Sequence, residues 1–281
     1  MGRKATRIKV RRAVNAGGAA TNGKFIDRSR RAIGKLARLA SRARHVDWRQ
    51  KDDRFPVYAI GDVHGMAELL ERLLDKIGRD AKKLGSPARI VFLGDVVNRG
   101  PDTRRVLDIF IDGPRHVGDE WLVLCGNHEI SLLEALSSDD AFDRFVPKGL
   151  NTLRSYGLGR DSINRKALKA ALPSAHRHFL EALPLTCRTR SHLFVHAGVR
   201  PGRPLKRQKV ADLTTIRDPF FEGATGLPWT VVHGHTPTSG RPFVGGNRIC
   251  IDTGACITGV LTAVAITEGE KPRFLSVSND D

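Results

Sequence analysis

The sequence predicts an α/β chain in which short buried strands alternate with amphipathic helices. Two observations carry this reading. The runs "VYAI" (57–60), "RIVFL" (89–93) and "WLVLC" (121–125) are short and continuously apolar, which suits strands buried on both faces. The intervals between them have a helical period. "MAELLERLLDKIG" places Leu69, Leu70, Leu73, Leu74 and Ile77 on one face, and "TRRVLDIFI" fills the next interval. Strand–helix–strand–helix order favours a parallel sheet flanked by helices.

The later elements follow in order. Residues 130–182 read as mostly helical, with "SAHRHFLEAL" after Pro173 and Ser174 as the expected N-cap. "HLFVH", "TVVHG", "RICID" and "LTAVAI" read as four further strands. Residues 199–229, rich in Pro and Gly, read as a long surface loop of the kind that often carries function.

Composition bounds the class. The 281 residues are 40% hydrophobic, enough for the core of one large domain or two small ones. No apolar run approaches the ~18–20 residues of a membrane span. The basic N-terminus is not followed by an apolar segment, so no secretory signal is read. A soluble, cytoplasmic protein is expected. Cys125, Cys187, Cys250 and Cys256 form no C-x-x-C pair and are expected to be reduced, mostly buried thiols.

The net charge of +17 is uneven. Residues 1–50 hold fifteen Lys and Arg against Asp27 and Asp47, whereas the remainder holds 32 basic and 28 acidic residues. This divides the chain into a basic N-terminal extension, 1–50, and a body, 51–281. In the extension, "NAGGAATNGK" is linker-like, and "RAIGKLARLASRARHV" sets Ile33, Leu36, Leu39 and Ala40 on one helical face. The extension is expected to be disordered, with one short basic amphipathic helix forming on contact with a partner. Its charge suits nucleic-acid phosphates or an anionic membrane surface, and equally a solvated tail.

Each early strand of the body ends in a polar cluster. Asp62 and His64 follow the first, Asp95 the second, Asn127 and His128 the third; His196 and His235 follow later ones. Strand ends of an open α/β sheet converge on one crevice. Carboxylate, imidazole and amide oxygen together suit borderline divalent ions such as manganese, iron or zinc. The ligands outnumber the needs of one catalytic ion, and Asp95 sits where it could bridge two. Such a pair can clamp a phosphoryl oxygen and activate water. His176, His178 and His192 are given no role.

In order, "GDVHG" (61–65), "GDVVNRG" (94–100), "GNHE" (126–129), "HAG" (196–198) and "GHT" (234–236) resemble the signature of the phosphoprotein phosphatase branch of the calcineurin-like metallophosphoesterases, a bacterial-type Ser/Thr phosphatase. "NRICIDTGA" and "LTAVAI" extend the resemblance, which runs from about residue 56 to 266. It implies an α/β (α+β) β-sandwich flanked by helices, and metal-dependent phosphomonoester hydrolysis by direct attack of activated water. By motif position, Asp62, His64 and Asp95 would hold one divalent ion. Asp95, Asn127, His196 and His235 would hold the other, manganese being expected and iron or zinc the alternatives. His233 is not a ligand in this correspondence. His128 would be the general acid and Arg99 the phosphate ligand, with Arg217 as a second phosphate-binding Arg and Asn127 also at the phosphate.

The branch usually has Asp where this chain has Asn98. The Asn amide is expected to accept a hydrogen bond from His128 and orient it, without an anion to raise its pKa. A phosphoprotein substrate is placed first. A symmetrical diadenosine tetraphosphate hydrolase is the alternative, since its leaving group needs less protonation.

Overall fold

The computed structural model describes residues 45–51, 54–114 and 119–280. The described strands form two mixed sheets. One has the order β11 (Arg273–Ser278), β10 (Val260–Ile266), β2 (Val57–Ile60), β3 (Arg89–Phe92), β4 (Glu120–Val123). The other runs β1 (His45–Asp47), β5 (Thr186–Arg188), β6 (His192–Val195), β7 (Thr230–His233), β9 (Arg248–Cys250), β8 (Phe243–Gly245).

The parallel expectation holds for part of each sheet, and antiparallel pairs complete both. β2, β3 and β4 are parallel, as are β6, β7 and β9. β10 runs antiparallel to β2 and β11, β5 antiparallel to β6, and β8 antiparallel to β9. Helix-period intervals report only the crossovers that join parallel strands. Antiparallel neighbours arrive by other routes.

The continuous apolar runs now have a physical reason. Alternate residues of one strand enter different cores. Tyr58, Ile60, Ile90 and Phe92 face the helices. Val57, Ala59, Val91 and Leu93 face the opposite sheet, where Phe194, Val232 and Ile251 meet them. Helix α1 (Ala67–Lys83) buries Leu69, Leu70, Leu73 and Ile77 in the first core. Each such side chain contributes about 1.5–3 kcal/mol. α2 (Thr103–Asp112) is capped by Asp102, whose side chain accepts from Arg105 N. α3 (Asn127–Ala135), α4 (Asp139–Ser155), α5 (Arg165–Ala171) and α6 (Ser174–Ala182) fill the segment read as helical.

Several local expectations are corrected. Ser174 is the first residue of α6, not its cap; Pro173 occupies the cap position and Ser174 makes no capping bond. Residues 199–229 are not a bare loop. They contain a 3-10 turn at Leu205–Arg207, α7 (Val210–Thr215) and α8 (Asp218–Glu222), each too short to show a helical period. Between β9 and β10 lies a further short helix, α9 (Ala255–Thr258).

The first strand begins ahead of residue 51. His45–Asp47 pairs in parallel with Thr186–Arg188, and Trp48 N donates to the Arg188 carbonyl at 2.8 Å. Trp48 is 8% exposed and belongs to the core between the sheets. The basic amphipathic helix read over 31–46 therefore gives way to strand at its last two positions. Its remaining positions, and the rest of the extension, lie outside the described residues. Among the described residues no helix is long and apolar enough to cross a membrane. Cys125, Cys187 and Cys250 are buried and Cys256 half-buried, all as free thiols.

Candidate metal centre and phosphate cleft

Five strand ends deliver their polar residues to one cleft of about 360 Å³. Asp62, His64, Asp95, Arg99, Asn127, His128, Arg217 and His235 line it, together with Lys148, Pro237, Asp252 and Ile257. His196, fully buried, lies beneath them against Asp95, and Asn98, also fully buried, lies behind His128. All residues singled out by sequence are therefore brought together.

Asp95 is the hub. Its Oδ1 accepts from His128 N at the start of α3, at 2.8 Å. Its Oδ2 faces His196 Nε2 at 3.4 Å, His64 Nε2 at 3.8 Å and His128 Nε2 at 3.9 Å. One oxygen is thus anchored by backbone and the other is shared. Two groups of ligand atoms meet there: His64, Asp95 and His128, and Asp95, His196 and His235.

The imidazoles are oriented as metal ligands usually are, by a carbonyl on the far nitrogen. His64 Nδ1 donates to Val97 O at 2.9 Å, and His196 Nδ1 to Leu93 O at 3.0 Å. This aims each Nε2 inward. His196 Nε2 then confronts Asn127 Oδ1 at 3.1 Å as well as Asp95 Oδ2. His196 Nε2, Asn127 Oδ1 and Asp95 Oδ2 thus converge on one point, where a cation could be held. The donor set fits a borderline divalent ion.

The electrostatics agree. Burial, then the charges of Asp252 and Asp95, push the Asp62 carboxyl well above the usual range. Burial would also raise Asp95, but the imidazoles of His196, His128 and His64 pull it well below. Burial lowers His235 to about 3 and His128 to about 4, with Asp95 opposing in both cases.

The strand-end turns have unusual backbones. His64 (φ 46°), Asp95 (49°), Asn98 (69°), Arg99 (65°) and His235 (66°) all lie in the left-handed region. Their glycine neighbours allow close approach: a Cβ on Gly126 would stand 2.3 Å from Asp95 Oδ1, and one on Gly234 2.0 Å from Asp62 Oδ1. Asp62 in turn accepts from His235 N at 3.2 and 3.1 Å.

Glu129 is a residue of the site that the sequence reading passed over. It is fully buried and accepts four backbone N–H groups: Asp95 and Gly126 on Oε2, Val96 and Val97 on Oε1, at 2.8–3.2 Å. It clamps the "GDVVN" turn to the start of α3. The signal was present, since Glu stands at the N3 capping-box position. Burial, then the charge of Asp95, raises its carboxyl to about 7 against those donors. Asp252, buried on the cleft floor and raised to about 6 chiefly by burial, was also missed, as was Lys148.

Asn98 pairs with His128, but with the polarity reversed from the expectation. Its amide nitrogen lies 2.9 Å from His128 Nδ1, so the amide donates. Its oxygen accepts from the Thr152 hydroxyl at 2.9 Å. Thr152 also accepts from Asn98 N and contacts the Thr103 hydroxyl at 2.8 Å. With Nδ1 an acceptor, the neutral ring carries its proton on Nε2, facing Asp95 and the cleft.

Arg217 precedes α8 and reaches the His235 carbonyl at 3.5 Å. His233 stays off the ligand set, buried edge-on against Phe220. His176 bonds Tyr156 and Asp108 in the helical layer, away from the cleft.

Buried carboxylates and imidazoles at the strand ends, under a rim of cations, define a metal-dependent phosphoric ester hydrolase. Residues 55–260 match the calcineurin-like phosphoesterase family, and the chain belongs to that family. It is similar to proteins named bis(5'-nucleosyl)-tetraphosphatase PrpE [asymmetrical]. That of Bacillus thuringiensis (strain Al Hakam) is 27% identical over 247 residues, covering 75% of this chain and 90% of the relative. That of Oceanobacillus iheyensis is 29% identical over 245 residues, covering 78% and 91%. A solved structure described as a candidate diadenosine tetraphosphatase superposes with TM-score 0.59 at 25% identity, covering 84% of this chain and 99% of that one. A Saccharomyces cerevisiae protein serine/threonine phosphatase shares the fold, with TM-score 0.53 at 14% identity over 91% of this chain and 89% of that one.

Proposed function

We propose that this chain hydrolyses the phosphoanhydride chain of dinucleoside polyphosphates, which places the sequence-based alternative ahead of phosphoprotein dephosphorylation. The observation that carries the reading is the neutral Asn98 amide donating to His128 Nδ1. A serine or threonine alkoxide is a very basic leaving group and calls for an imidazolium held by an anion. A nucleotide leaves as a phosphate that ionises near neutrality, with a second pKa of about 6. For it, an Nε2–H hydrogen bond from neutral His128 suffices. The names of the relatives support the same class, and they specify asymmetrical cleavage where the sequence reading had the symmetrical reaction.

Two divalent ions, manganese first and iron or zinc as alternatives, would supply Lewis-acid stabilisation of the phosphoryl oxygens and a nucleophilic water. Asp62, His64 and Asp95 would hold one; Asp95, Asn127, His196 and His235 the other. The protein's own groups orient and protonate. Arg99 and Arg217 would bind phosphoryl oxygens, Arg suiting bidentate contact with phosphate. His128 would donate to the leaving oxygen, oriented by Asn98 and, through it, by Thr152. Ile257, 71% exposed, and Pro237 give the cleft an apolar lip on which a nucleoside would rest.

The test is a side-by-side assay of manganese-loaded protein on diadenosine tetraphosphate and a phosphoserine peptide, with and without chelator. Chelator-sensitive turnover of the dinucleotide, at least tenfold faster than the peptide, is expected. Faster turnover of the peptide would reject the reading. Product analysis by chromatography separates the two cleavage patterns: ATP with AMP for asymmetrical, two ADP for symmetrical.

A further inference from the structure

We infer that Lys148 binds the second phosphoryl group of a phosphoanhydride substrate and thereby sets the preference for anhydrides over monoesters. The inference deepens the proposed function and rests on it.

Lys148 lines the cleft but belongs to none of the motifs. It lies on α4, on a turn flanked by Pro147 and Gly149. Gly149 is pressed against the Phe145 ring, where a Cβ would stand 2.1 Å from Cζ. The same turn is tied to the phosphate-binding turn: Arg99 N donates to the Lys148 carbonyl at 3.4 Å, and Asn151 Nδ2 donates to the Arg99 carbonyl at 2.6 Å. The two cations are therefore carried by one joined piece of backbone.

Lys148 is exposed, and its ammonium makes no hydrogen bond or ion pair with any described residue. It is not there to neutralise the carboxylates of the cleft. Asp62, Asp95 and Asp252 are buried on the floor, whereas Lys148 stands on the rim. The Arg99 guanidinium is likewise unpaired among the described residues. A phosphomonoester offers a single dianion, which Arg99, Arg217 and a metal-loaded floor would already match. A further rim cation implies anionic charge beyond the reacting phosphorus. A lysine, as a mobile point charge, suits the non-bridging oxygens of a polyphosphate chain.

The experiment compares kcat/KM for diadenosine tetraphosphate with that for 4-nitrophenyl phosphate, in the full manganese-loaded chain. In Lys148→Ala the ratio of the two should fall about tenfold, the scale of one charge-assisted contact, mostly through KM for the dinucleotide. Lys148→Arg should restore it to within about threefold. An unchanged ratio in Lys148→Ala overturns the inference, as does an equal loss on both substrates. If wild type turns over the nitrophenyl ester but not the dinucleotide, the proposed function fails, and Lys148 is judged by inhibition of that ester. With manganese in excess, tripolyphosphate should lose about tenfold in inhibition relative to orthophosphate in Lys148→Ala. Equal selectivity between these two anions in both proteins would overturn it.

Discussion

Replacing Asn98 by Asp isolates the contribution of a single charge. Asn98 is fully buried, 2.9 Å from His128 Nδ1 and 2.9 Å from the Thr152 hydroxyl. Its φ of 69° is one that Asp tolerates nearly as well, so the backbone should stay in place. Unit charges about 4 Å apart attract by about 4 kcal/mol at an effective dielectric constant of 20. Burying the new carboxylate offsets a large part of this, roughly half. The remaining ~2 kcal/mol amounts to about 1.5 pKa units. His128, held near 4 chiefly by burial, would rise accordingly. The imidazolium then persists to higher pH and becomes a stronger participant in alkoxide departure. The assay is a pH–rate profile from about pH 3.5 to 9, on a phosphoserine peptide and on diadenosine tetraphosphate. For Asn98→Asp, kcat/KM on the peptide should rise about tenfold, within the usual range of general-acid effects. Its alkaline limb should move up by about 1–2 units. The dinucleotide should change less than about threefold. If neither limb nor rate on the peptide moves, the assigned role of Asn98 is wrong.

Glu129→Gln replaces one of two accepting oxygens with an NH2 group, stranding two buried N–H donors of the site turns. At about 1–3 kcal/mol each, a loss near 3 kcal/mol and a fall in Tm of roughly 6–12 °C are expected by thermal denaturation; a fall below about 2 °C contradicts the clamp. Gly126→Ala puts a Cβ 2.3 Å from Asp95 Oδ1, so metal content by elemental analysis should fall below half of wild type in a folded protein. Metal stabilisation should also grow with pH. Glu129 and Asp252 have folded pKa values of about 7 and about 6, raised above their unfolded ones, so their contribution is complete below the unfolded values and is lost as pH rises through 6 and 7. His196, also raised, has the same sign, whereas the depressed Asp95 matters only in strong acid. The Tm difference between manganese-loaded and chelated protein should therefore be larger at pH 8 than at pH 5.5; the reverse order would refute this account.

The sheet centres were legible because Val57–Ile60, Arg89–Phe92 and Val260–Ile266 must be apolar on both faces, and the sequence shows it. β1, β5 and β8 were not, because three residues cannot display a period, and the partner of β1 lies far along the chain. The ligand residues were legible because all but His196 stand next to a glycine, and His196 lies two residues from Gly198. Glu129 was hidden in plain view: its bonds go to backbone N–H groups of another segment, which no side-chain pattern records. Lys148 was hidden because a helix brings it beside Arg99 from nearly fifty residues away. The polarity of the Asn98–His128 bond depends on Thr152, equally distant in sequence.

The left-handed turns at His64, Asp95, Asn98, Arg99 and His235 give the cleft a mechanical character. Each such turn costs up to about 1–2 kcal/mol, less for Asn, Asp and His. Together they approach the few kcal/mol by which whole domains outlast unfolding. The centre is a sprung frame set in rigid sheets, with carboxylates that repel one another until cations arrive. Removing those cations should release the frame before the sheets. Amide exchange would then quicken first at 94–100 and 233–236, leaving the strands behind them protected.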